Sequence, residues 1–347
     1  MATAAATGLA TGLATGLAMS YDVFNGDADG ICALHQLRLH APADTQLVTG
    51  VKRDIELLRR VPKGAADVLV LDISLDANAG ELRRLLDGGA RVDYYDHHSA
   101  DCAFEHPNLR LHCDGSPDVC TSILVDRQLG GRHRLWAIAA AFGDNLEQVG
   151  QKMAGAMGLG DDAIAALAQL GQTINYNAYG ECTEDLHIAP EALYRELSGY
   201  ENPFDFIAAS AVYRGLREGY REDCARLHEL QPYLEQPGGA IYLLPATAWS
   251  RRISGVLANR LAARRDGASF AVLNERADGS YLVSVRSGAP SLRSACGLCQ
   301  QFDSGGGRVA AAGINHLPRQ ELASFMKRFC EYFELKGTWN DYRPQNF

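Results

Sequence analysis

From Tyr21 onward, short apolar runs alternate with stretches of helical period. Tyr21-Asp22-Val23-Phe24 reads as a buried strand and Gly30 to Leu39 as the helix behind it. Leu47 to Val51 reads as a second strand, with a helix over Asp54 to Arg60. Val68 to Ile73 is a strong strand, with a helix over Glu81 to Asp87. Val92 to Tyr95 is another strand, and it runs straight into Asp96-His97-His98. Strands separated by helices in this way predict βαβ units and a parallel sheet. Leu135 to Phe142 forms a further apolar helix, ended by Gly143-Asp144-Asn145.

The rest of the chain changes character twice. Asp161 to Glu229 is mostly helical, with Ala-rich and Tyr-rich amphipathic segments, and Gln231 to Gly239 carries two Pro and two Gly that mark a boundary. Strand signals return at Ala240 to Leu244, Ser269 to Asn274 and Tyr281 to Arg286, with helices near Ile253 to Arg264 and Arg319 to Phe333. The fold class is therefore α/β. An N-terminal parallel-sheet domain covers residues 19–160, a helical connector 161–230 and a smaller C-terminal α/β substrate domain 231–335, before a tail at 336–347. The first eighteen residues repeat Ala-Thr-Gly-Leu units without charge or period. They read as an added, disordered leader ahead of Met19 and are set apart from the fold.

Composition narrows the function classes. The length of 347 residues suits about two domains, and 47% hydrophobic with 22% charged residues excludes a disordered or fibrous chain. With 33 Lys and Arg against 42 Asp and Glu, the net charge of −9 argues against a groove that follows long duplex DNA. A small phosphorylated substrate needs only a few cations in one cleft. No run of about 18 apolar residues predicts a membrane span. Nine scattered cysteines, an odd number, suit reduced thiols and a cytoplasmic location. Cys296 and Cys299 form a lone CxxC, which reads as buried thiols rather than a structural zinc site.

In a parallel sheet, ligands gather beyond the carboxyl ends of the strands. Four segments deliver acids and imidazoles there: Asn25-Gly26-Asp27-Ala28-Asp29-Gly30, Asp72, Asp96-His97-His98 and Asp144. One Asp at a strand end is often only a helix N-cap. Four together repel one another unless a hard cation sits among them, and mixed carboxylate and imidazole donors suit Mn²⁺ or Mg²⁺. Two such ions at close range are a standard device for transferring a phosphoryl group to water.

These motifs, in this order, resemble those of the DHH phosphoesterase superfamily, in its two-domain, nanoRNase or oligoribonuclease-like form. The resemblance rests on Asn25-Gly26-Asp27-Ala28-Asp29-Gly30, Leu71-Asp72, Asp96-His97-His98 and Gly143-Asp144-Asn145. Val283-Ser284-Val285-Arg286-Ser287 and Gly305-Gly306-Gly307-Arg308-Val309-Ala310-Ala311-Ala312-Gly313 resemble the family's associated C-terminal domain. It implies a Mn²⁺ bound by Asn25, Asp27 and a bridging Asp72, and a second bound by Asp29, Asp72, His97 and Asp144. It further implies that His98 faces the scissile phosphate and that Asp96 orients an imidazole. Arg286, Gly305, Gly306, Gly307 and Arg308 are then the substrate-binding set.

Two positions depart from the family pattern. Asn25 stands where a His or Asp ligand is usual, which weakens the first metal site. Arg308 stands where a His usually follows the glycines, which shifts substrate preference while keeping an anion-binding fork. The expected activity is Mn²⁺-dependent hydrolysis of short oligonucleotides, cyclic dinucleotides or nucleotide phosphates, with a homodimer as a further expectation. The alternatives are a RecJ-like single-strand exonuclease, a polyphosphate or pyrophosphate hydrolase, and a degenerate member that binds a nucleotide without turnover. Lys52 and Arg53 follow the second strand and could reach the same cleft, but by default read as a surface pair. His35, His40, His106, His112, His133, His187, His228 and His316 read as structural or exposed.

Overall fold

A computed structural model describes residues 19–98, 105–264 and 267–335. The leader and the tail assigned above lie outside them. The first half runs β1 (Tyr21–Phe24), α1 (Ala28–His40), β2 (Gln46–Val48), β3 (Asp67–Leu71), α2 (Leu75–Asp87), β4 (Arg91–Asp96) and β5 (Leu109–Cys113). Helices follow: α3 (Thr121–Gln128), α4 (Arg134–Gly143), α5 (Glu147–Ala156), α6 (Asp161–Asn177), α7 (Pro190–Leu197), α8 (Pro203–Ala209) and α9 (Ala211–Arg226). The second half runs β6 (Leu234–Gln236), β7 (Gly239–Leu244), α10 (Ala248–Arg264), β8 (Ser269–Glu275), β9 (Tyr281–Arg286), α11 (Ala295–Cys299), β10 (Gly305–Gly307), β11 (Ala311–Leu317) and α12 (Leu322–Tyr332).

The first sheet is parallel throughout, in the order β2-β1-β3-β4-β5. Successive side chains on a strand point to opposite faces, so a sheet covered on both sides needs apolar residues in pairs. Val23 with Phe24, Val70 with Leu71 and Tyr94 with Tyr95 supply such pairs. Val23, Val70 and Tyr94 join Leu82 and Leu85 of α2 in one core. Phe24, Leu71 and Tyr95 join Ile31, Trp136, Leu170, Leu193 and Tyr213 in the other. Residues 161–230 therefore share the core of the first sheet through α6, α7 and α9.

The second sheet is mixed, in the order β10-β11-β9-β8-β7-β6, with only β7 and β8 parallel. Leu298, Phe325 and Phe329 of α11 and α12 fill one face. Leu257 and Ala258 of α10 pack on the other, against Leu244 and Val272. Cys299 belongs to the α11 core, where burial pushes its thiol up to about 12. Neither it nor Cys296 joins any three-residue metal-binding group among the described residues. None of the described helices is long and apolar enough to cross a membrane.

Several elements differ from the sequence expectation. The helix expected over Asp54 to Arg60 is one 3-10 turn at Leu57–Arg60, and α2 starts at Leu75 under an N-cap from Ser74. β5 carries no strand signal in the sequence because it is an edge strand whose residues are mostly half or fully exposed. The glycine run, for which no strand was expected, is an edge strand, β10.

His35 makes the main core testable by pH. It is buried, its Nε2 lies 2.8 Å from Tyr200 O, and its ring meets Trp136 edge-on with centroids 4.7 Å apart. Burial holds its pKa down at about 4 against the usual 6.5. The depressed value means that the unfolded chain takes up a proton first as pH falls. The His35 contribution is thus present above 6.5 and lost progressively down to about 4, by about 3 kcal/mol in all. His35→Gln should flatten the unfolding free energy across that window, and equal slopes in variant and parent would refute the assignment.

Candidate metal centre and substrate cleft

Each acidic residue of the expected centre is fixed by its own segment. Asp27 is the N-cap of α1, and its Oδ1 accepts from the Asp29 and Gly30 N–H groups at 3.0 Å each. That leaves Oδ2 for the cleft. Asp29 accepts from the Thr121 and Ser122 N–H groups, both at 2.7 Å, at the start of α3. Asp72 has a left-handed φ of 59°, a conformation Asp tolerates better than most residues. Its N–H donates to Tyr95 O at 3.0 Å and Thr121 Oγ1 donates to its Oδ1 at 3.3 Å. Asp144 caps the C-terminus of α4.

His97, just past β4, faces three of them. Its Nε2 lies 3.4 Å from Asp72 Oδ1, 3.8 Å from Asp144 Oδ2 and 3.9 Å from Asp29 Oδ2. Two overlapping groups, Asp29-His97-Asp144 and Asp72-His97-His98, bring ligand atoms within 4.8 Å of one another. Burial, then the Asp29, Asp27 and Asp144 carboxylates, push the Asp72 carboxyl well above the usual range. Burial likewise raises Asp144. Buried like charges at this spacing favour a cation, and oxygen donors with one imidazole fit Mn²⁺ or Mg²⁺.

Asp96 and His98 form a separate pair. Asp96 is fully buried, and its Oδ2 accepts from the Leu75 N–H at 3.3 Å, at the start of α2. Its Oδ1 lies 2.6 Å from His98 Nδ1. Burial works against the His98 charge, but the Asp96 contact outweighs it and raises the His98 pKa above its ordinary value.

Two residues behave differently from the sequence reading. Lys52 is no surface cation: its largely buried ammonium pairs with Asp27 Oδ2, lies 3.6 Å from Asp144 Oδ1 and donates to Asn175 Oδ1 at 3.1 Å. Asn25 has its amide tied at both ends. Its Oδ1 accepts from the Asp27 N–H at 3.2 Å and its Nδ2 donates to Lys52 O at 3.2 Å. The signal for Lys52 was its place after the second parallel strand, at the same carboxyl-end rim. Asn175 comes from α6 and carried no local signal.

The facing wall belongs to the second sheet. A cleft of about 710 Å³ is lined by Asp27, Lys52, Asp72, His97, His98 and Asp144 on one side and by Arg286, Gly305, Gly306, Gly307 and Arg308 on the other. Arg286 Nε and Nη2 donate to Asn259 Oδ1 of α10 at 3.1 and 3.0 Å, and Asn259 Nδ2 donates to Asn145 Oδ1 at 2.9 Å. Arg53 Nη1 donates across the cleft to Asn315 Oδ1 at 3.0 Å. Among the described residues no carboxylate lies in ion-pair reach of Arg53, Arg286 or Arg308. Cations held by neutral amides in this way remain open to an anion. The Asn259 relay was beyond sequence reasoning.

The glycines of β10 have separate duties. A Cβ at Gly305 would lie 1.7 Å from Cys299 O, whereas one at Gly306 would meet no atom within 4 Å. Gly306 lines the cleft with open space beside it, so a methyl there would meet a bound ligand rather than the protein. Gly306→Ala should leave the unfolding temperature unchanged while raising KM several-fold, and Gly305→Ala should destabilise the fold. Unchanged kinetics in Gly306→Ala would make β10 purely structural.

No family model and no curated protein matches this chain. Its fold is found among solved structures. It resembles exonuclease RecJ bound to manganese at 19% identity and TM-score 0.61, over 91% of this chain and 90% of that one. RecJ in complex with Mn²⁺ from Thermus thermophilus matches at 18% identity and TM-score 0.57, over 91% and 52%. The pGpG-specific phosphodiesterase PggH from Vibrio cholerae matches at 14% identity and TM-score 0.53, over 92% and 100%. The chain thus shares its fold with RecJ.

Proposed function

We propose that the chain is a Mn²⁺-dependent phosphodiesterase that cleaves short linear oligonucleotides in the cleft between its two sheets. The carrying observation is His97 Nε2 facing three carboxylates across from arginines that, among the described residues, have no carboxylate in ion-pair reach. Asp29, Asp72, His97 and Asp144 would hold the ion. When bound, such a cation supplies Lewis acidity and a lowered pKa for water.

The chain's own groups do the remainder. His98, oriented by Asp96, which also raises its pKa, hydrogen-bonds a phosphoryl oxygen and stabilises charge as it develops. Arg286, aimed by Asn259, takes a phosphate away from the reacting centre. The glycine strand lets a sugar or phosphate lie against the backbone. A cleft of about 710 Å³ is within the usual size for small-ligand sites, and the net charge of −9 disfavours long duplexes. RecJ is named an exonuclease and PggH a pGpG-specific phosphodiesterase, and both names support a phosphodiester substrate.

The test is chromatographic. Single strands of increasing length, cyclic dinucleotides, polyphosphate and pyrophosphate are incubated with and without Mn²⁺. Mononucleotide release should require Mn²⁺ and be fastest for the shortest linear chains. Tight nucleotide binding with no turnover would make the chain a binding protein instead.

A further inference from the structure

We infer that the centre is built for a single divalent cation, with the Lys52 ammonium standing where a second ion would otherwise sit. This rests on the metal reading above. Both candidate ligand groups contain His97, and neither contains Asp27. A second ion would have to draw on Asn25, Asp27 and Asp72. The Asn25 oxygen is engaged by the Asp27 N–H, and Nδ2 by Lys52 O. Of the Asp27 oxygens, one caps α1 and the other pairs with Lys52. The ammonium between Asp27 and Asp144 takes the place a second ion would need, and Asp72 by itself does not hold a divalent ion.

Lys52 is built in rather than borrowed. Its backbone N–H donates to Ala178 O at 2.9 Å, and its side chain passes the Tyr179 ring at 5.9 Å. An ammonium has three donors. Here they face Asp27, Asn175 and Asp144, an all-oxygen surrounding that a small metal ion would also choose. Charge agrees with geometry. Four carboxylates against one ammonium and one dication leave a slight negative excess. A second dication would reverse that sign and lie against the ammonium.

Calorimetric titration of the metal-free protein with MnCl₂, read beside its manganese paramagnetic resonance spectrum, decides the matter. One Mn²⁺ per chain with an uncoupled six-line spectrum is expected. Two ions with an exchange-coupled spectrum would overturn the inference and leave the proposed activity standing. No binding at all would remove the metal reading itself. Asn25→His alone should stay at one ion, because Lys52 still holds Asp27, and uptake of a second would overturn the inference. Lys52→Met combined with Asn25→His should rise to two, and Lys52→Arg should remain at one. If the double variant fails to fold, the titration of the parent protein still decides.

Discussion

Replacing Asp72 by Asn should abolish Mn²⁺-dependent hydrolysis and, in the same molecule, raise the unfolding temperature of the metal-free protein. The two effects have one cause. Asp72 is buried among Asp27, Asp29 and Asp144, and its carboxyl is held well above the usual range. Asn copies the protonated carboxyl in shape and also tolerates the left-handed backbone that Asp72 adopts. Without the cation it relieves repulsion, worth about 1–3 kcal/mol and a few degrees at neutral pH. With the cation it removes the anionic oxygen that Thr121 and His97 frame, and kcat should fall about a thousandfold or more.

The pH dependence gives the same prediction a sign. A raised folded-state pKa means that proton binding favours the fold, so the benefit is complete below about pH 4 and is lost as pH rises through the raised value. The metal-free parent should therefore lose stability over that span more steeply than Asp72→Asn. Melts in chelator across this range, with steady-state rates alongside, test both halves. Parallel slopes together with retained activity would show that Asp72 has neither role.

His98→Ala should lower kcat about a hundredfold to a thousandfold with little change in KM and none in Mn²⁺ stoichiometry. Its Nδ1 is taken by Asp96, a contact that raises its pKa above the ordinary value. On the proposed function His98 serves as a donor to substrate, although it lies close enough to Asp72 and His97 to share an ion with them. Asp96→Asn keeps an acceptor for the Leu75 N–H but no longer sustains the imidazolium, and about a tenfold loss is expected. Loss of Mn²⁺ binding in His98→Ala would reassign the residue to the ion.

The parts of this site that were legible in the sequence are those set by local rules. Asp27 must cap α1 because a glycine-rich turn follows a buried strand, and Asp72 and His97 follow the apolar β3 and β4. The parallel sheet was legible for the same reason: its strands are short apolar runs between helices. What escaped was made by distance along the chain. Lys52 looks like a surface residue until Asn25 and Ala178 pin its backbone and α6 brings Asn175 to its tip. β5, exposed at the sheet edge, has no apolar stripe to announce it. Asn25 is the instructive case. It occupies a ligand position in the motif, and its amide bonds the Asp27 and Lys52 backbones.

The relay from Asn145 through Asn259 to Arg286 makes the cleft a gauge. Asn145 directly follows Asp144, so the metal end and the distal arginine are joined by two hydrogen-bonded steps and one residue of backbone. Neither end can drift without stretching the other. On the proposed function, this would fix the interval between a phosphate at the centre and one at Arg286, and a ligand would be accepted by how many bonds separate its two phosphates rather than by its bases. Cutting the relay would blur that count: a chain indifferent to sequence but strict about length would become tolerant of both.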